Sequence, residues 1–76
     1  MEIFDGNDAS FILGLSPSEM NAVIVYGEIG FFGSEEEPSF TWSQLERYLS
    51  KSEGVSIMAA QQYIAEKVFE KEQMLA

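Results

Sequence analysis

Two helix starts are spelled out in this chain, and in a sequence of 76 residues they constrain the fold more than any other feature. Ser16-Pro17-Ser18-Glu19 offers a hydroxyl N-cap, a proline at the first helical position and a glutamate three residues after the cap. Leu15 and Met20 flank it as a hydrophobic staple. Thr41-Trp42-Ser43-Gln44 repeats the arrangement, with Phe40 and Leu45 as its staple. In each case the cap side chain takes one of the orphan backbone N–H groups of the first turn, and the residue three places on takes the cap's own N–H.

The remaining boundaries are read from single signals. Asp8 caps a short helix that Gly14 stops, and Gly54 ends the third helix in the left-handed conformation before Ser56 starts the last. These signals predict four helices, near 8–13, 17–30, 42–52 and 56–73, with Glu35 to Pro38 as a solvated loop. The fold class expected is all-α: a small bundle of about four helices with a helical hairpin in its C-terminal half. The alternative is α+β with a strand or hairpin at 22–33, because Ala22-Val23-Ile24-Val25-Tyr26 is rich in β-branched residues and is bounded by glycine. The capping box just upstream favours the helix.

Periodicity assigns faces to the helices. On the last, Ile57, Ala60, Ile64, Ala65, Val68 and Phe69 are expected to pack on the core, leaving Glu66, Lys67, Glu70 and Lys71 to solvent. Trp42, Leu45, Tyr48 and Leu49 form the stripe of the third. The second is apolar nearly all round, with Asn21 and Glu28 as its polar strip, so it is either central or half open to a partner or a second copy.

Chemistry is scarce in this composition. With no cysteine and no histidine there is neither a thiolate nucleophile nor a side chain that exchanges protons near neutral pH. The chain is therefore expected to be non-enzymatic, to need no cofactor and to hold no metal. Asp5-Gly6-Asn7-Asp8 lacks the ligand spacing and the late glutamate of a calcium loop. Gly27, Gly30 and Gly33 have no Lys-Ser/Thr pair after them and stand among glutamates, so they are expected to serve helix packing at Gly27 and helix termination at Gly30 or Gly33 rather than a phosphate. The chain has one domain's length, and the core such a length can build rarely supplies more than about 3 to 5 kcal/mol. Its acidic beginning and its short apolar run Phe11-Ile12-Leu13-Gly14-Leu15 match neither a secretory signal nor a membrane span, which points to a cytoplasmic protein with no membrane partner.

Charge is the one functional signal with a direction. The net charge is −9, and residues 1–40 carry Glu2, Asp5, Asp8, Glu19, Glu28, Glu35, Glu36 and Glu37 without a single Lys or Arg. A field of that sign repels phosphate backbones and attracts basic surfaces. The expected partner is thus a protein with a basic, nucleic-acid-binding surface, occupied in the manner of a small nucleic-acid mimic, and direct nucleic-acid binding is not expected. Glu28, Glu35, Glu36 and Glu37 are the candidate charged contacts, with Phe31 and Phe32 as apolar anchors beside them. A homodimer joined through the second helix and the Phe31-Phe32 corner is the alternative.

Residues 46–65 also resemble a helix-turn-helix unit. Gly54 falls at the turn, and Leu49, Val55, Ala60 and Tyr63 fall at packing positions, while Glu53 stands where that motif has an apolar residue. The resemblance implies a transcription regulator reading bases with Gln61 and Gln62, but no basic residue precedes Lys67 on that helix to hold phosphate.

Overall fold

Both capping boxes close. Ser16 Oγ accepts from the Glu19 N–H at 3.1 Å while the Ser16 N–H donates to the Glu19 carboxylate at 2.9 Å. Thr41 Oγ1 accepts from the Gln44 N–H at 3.2 Å, and the Thr41 N–H donates to Gln44 Oε1 at 2.9 Å. The computed structural model describes residues 2–75, in the order β1 (Ile3–Asp5), α1 (Gly6–Leu13), α2 (Pro17–Val25), β2 (Phe32–Gly33), β3 (Pro38–Thr41), α3 (Trp42–Glu53) and α4 (Ile57–Leu75). Among the described residues no helix is long and apolar enough to cross a membrane.

The all-α expectation is overturned. A three-stranded antiparallel sheet, ordered β1-β3-β2, accompanies the four helices, so the class is α+β. Its strands do not come from the β-branched run, since residues 22–25 are helical; of the 22–33 segment only Phe32 and Gly33 are extended. Elements of three, two and four residues are too short to show the alternation by which a strand is read from sequence. Their pairing is set in three dimensions instead. Ile3 pairs with Thr41, Phe4 with Phe40 and Asp5 with Ser39, so that Phe4 and Phe40 both turn into the core and their neighbours turn out.

The core is one apolar cluster. Phe40, Ile12, Leu45 and Ile64 are its largest fully buried side chains, and no polar side chain is buried among the described residues. Phe40 thus does two things: it is the staple before α3 and the centre of the sheet's buried face. Trp42 leans on Phe4 with ring centroids 6.1 Å apart, which ties the start of α3 to β1.

Three local expectations also change. Asp5 caps α1, accepting from the Asp8 N–H at 2.8 Å, so Asp8 lies in the first turn and is not the cap. α2 stops at Val25 instead of near residue 30: Gly27 takes a φ of 70° and the Glu28 N–H bonds the Val23 carbonyl at 2.9 Å, closing the helix with a Schellman motif. Gly27 is therefore a terminator, and open space surrounds its α-carbon. On α4 the buried face is turned from the one expected. Ala60 and Ile64 are buried with Tyr63 and Val68 against the core, whereas Ile57, Met58, Ala65 and Phe69 are exposed.

Candidate functional site

The hairpin that carries the triple glutamate is built by its ends. Gly33 has a φ of 85°, and a Cβ placed on it would stand 2.8 Å from the Glu37 carbonyl oxygen, so only glycine fits the turn. Gly33 pairs with Pro38 and Phe32 with Ser39, which leaves Ser34, Glu35, Glu36 and Glu37 as the loop. Ser34 Oγ accepts from the Glu37 N–H at 3.1 Å and stiffens it. All three glutamates are exposed at the tip.

The β1–β3 register then adds a carboxylate that lies thirty residues away in the chain. Because Asp5 pairs with Ser39, it shares with Glu36, Glu37, Asn7 and Pro38 an open recess of about 410 Å³. Neither Lys nor Arg lines this recess. One oxygen of Asp5 is held by the α1 cap, which fixes the carboxylate in place. The corner can present negative charge and hydrogen-bond acceptors, and little else. Among the described residues no three acidic side chains are placed to hold a metal ion.

The six predicted contacts divide. Glu35, Glu36 and Glu37 share the hairpin tip, and Phe32, 57 % exposed, stands on the β2 arm of the same hairpin. Phe31 is half-buried with its ring 6.3 Å from that of Phe40, so it packs on the core. Glu28 lines a separate recess with Arg47, Tyr48 and Lys51, where the charge is mixed. Asp5 was missed because no spacing in the sequence links it to the glutamates; only strand pairing does.

Two of the other amino-terminal acids have local duties. Asp8 pairs with Lys71 of α4 at 3.0 Å. Glu19 is engaged by the Ser16 N–H and side chain, which hold its carboxyl below the ordinary value of 4.5. Lys67 bonds Glu70 at 3.2 Å, which raises its ammonium pKa, and lies 5.6 Å over the Tyr63 ring. Of the amino-terminal acids, Asp5, Glu36 and Glu37 share one recess with Glu35 beside them on the hairpin tip, Asp8 is paired with Lys71, Glu19 is engaged by Ser16, Glu28 lines a recess with Arg47 and Lys51, and Glu2 is exposed.

The helix-turn-helix-like segment forms a helical hairpin through residues 54–56, with Gly54 at a φ of 66°. Leu49 and Ala60 are buried as that motif requires, while Val55 is 39 % exposed. Gln61 and Gln62 are both exposed and line an open groove with Trp42, Glu46, Met58 and Ala65. Comparison with family models, curated proteins and solved structures gives no match to this chain.

Proposed function

We propose that this protein is a non-enzymatic, cytoplasmic binding module that sets the β2–β3 hairpin tip against a basic, nucleic-acid-binding surface of another protein. The observation that carries this reading is the uncompensated corner of Asp5, Glu36 and Glu37 with Glu35 beside it. Asp5, Glu36 and Glu37 line one recess that no Lys or Arg lines, so a cationic surface laid over it meets only negative charge. The Glu37 N–H to Ser34 Oγ bond fixes the loop backbone, which lowers the ordering cost of binding. Phe32 supplies an apolar anchor next to the charge.

The test is retention of proteins from a lysate on the immobilised domain as salt rises, with duplex DNA as competitor. Retention is expected to fall steeply with ionic strength, to yield to DNA, and to be lost when Glu35, Glu36 and Glu37 are all changed to Gln. A complex indifferent to salt, or one that survives the triple change, removes the reading.

One observation favours a second reading. Val25 and Tyr26, at the end of α2, are exposed, with Tyr26 at 79 %. Apolar association of two copies there would resist salt and grow with protein concentration, which sedimentation measures directly.

A further inference from the structure

The groove between α3 and α4 is a different surface. It begins at Trp42, at the opposite end of β3 from the hairpin tip, and runs along the outward side of α4. At about 100° per residue, Met58, Gln62, Ala65 and Phe69 of α4 lie within about 60° of one another, on the side opposite Ala60 and Ile64. Met58 is 75 % and Phe69 61 % exposed. The stripe from Met58 to Phe69 is roughly 16 Å long, about three helical turns. Phe69 lies a turn beyond the residues that line the groove, and nothing among the described residues covers the stripe.

Its charge is one-sided. The floor is uncharged, Glu46 of α3 closes one side, and Glu66 stands exposed about 80° round α4 from Met58 on the other. The two lysines of α4 are turned away: Lys67 is engaged with Glu70 and Tyr63, and Lys71 with Asp8. A second copy of this chain, with net charge −9, would bring Glu46 and Glu66 against like charges. A helix with an apolar stripe flanked by Lys or Arg meets the floor with one face and both acidic rims with its edges.

We propose that the α3–α4 groove is a docking site for a basic amphipathic helix of a partner protein. Trp42 is the chain's one tryptophan and lines this groove, so its emission reports occupancy. The probe is a peptide of about 18 residues with a leucine stripe flanked by lysines, against a twin carrying glutamates in place of the lysines. Saturable binding of the lysine peptide with a blue shift of Trp42 is expected, and none with the twin. Changing Met58→Ser and Phe69→Ser together, both on the surface, should weaken binding roughly tenfold with the helical circular dichroism preserved. Changing Glu35, Glu36 and Glu37 to Gln should leave the affinity within about twofold, which separates this site from the hairpin corner. The proposal is overturned if the serine pair leaves binding intact, if the triple Gln change abolishes it, or if the twin binds equally. It is also overturned if Trp42 emission shifts with protein concentration alone, because a second copy then fills the groove.

Discussion

Phe4 and Phe40 face one another across the β1–β3 ladder, 4 % and 0 % exposed, and through this pair β1 is built into the centre of the molecule. Phe40 precedes the α3 capping box directly, so the same ring fixes the entry of α3 and the register of the sheet. Truncating so central an aromatic costs about 3 to 5 kcal/mol. That is about the whole stability a chain of this length commands. Phe40→Ala is therefore expected to be largely unfolded at 25 °C, and Phe40→Leu to fold with a lowered midpoint. Thermal and urea melts followed by circular dichroism measure both; a cooperative, near-wild-type melt of Phe40→Ala would show that the core lies elsewhere.

The features legible in the sequence are those whose partners lie within a turn of chain. Ser16 with Glu19 and Thr41 with Gln44 are pairs three residues apart, and Gly14 and Gly54 end helices by their own backbone. The strands were hidden because Phe4 finds Phe40 and Asp5 finds Ser39 over more than thirty residues of sequence. The same holds for α4. Its apolar residues span a wide arc, and which part is buried depends on how α4 packs against α3 and α1. The glutamate tip was legible as a charge run; Asp5 as its neighbour was not.

Gly33 and Gly27 both have positive φ but differ in their surroundings. At Gly27 a Cβ would meet nothing within 4 Å, so Gly27→Ala costs the left-handed backbone term alone, roughly 1 to 2 kcal/mol. At Gly33 the Cβ would also collide with the Glu37 carbonyl oxygen at 2.8 Å. Gly33→Ala is expected to destabilise more than Gly27→Ala and to disturb the amide signals of Ser34 to Glu37. Urea midpoints and a two-dimensional amide spectrum decide it; equal costs with an unchanged hairpin would mean the loop relaxes freely.

Glu19 makes stability depend on pH in a known direction. Its carboxyl titrates below 4.5 in the folded protein because the Ser16 N–H and side chain favour the anion. A lowered folded value means the contribution is full above the unfolded value and disappears as pH falls through the folded one. Glu19→Gln keeps an acceptor for the Ser16 N–H and does not titrate. Between about pH 6 and pH 3 its urea midpoint should fall less steeply than that of the parent protein. Parallel curves would show that Glu19 contributes nothing to acid sensitivity.

Asp5 has two tasks that a single change can separate. As the α1 cap it accepts from the Asp8 N–H, and asparagine caps about as well, so Asp5→Asn should alter stability by no more than about 0.5 kcal/mol. As a member of the hairpin corner it supplies charge, which asparagine removes. Asp8→Asn makes the same change in net charge, but at a carboxylate already paired with Lys71. If the corner is the contact surface, affinity for polylysine at low ionic strength falls more for Asp5→Asn than for Asp8→Asn. A bulk effect of net charge predicts equal losses for the two variants, and that result would take the binding role away from the corner.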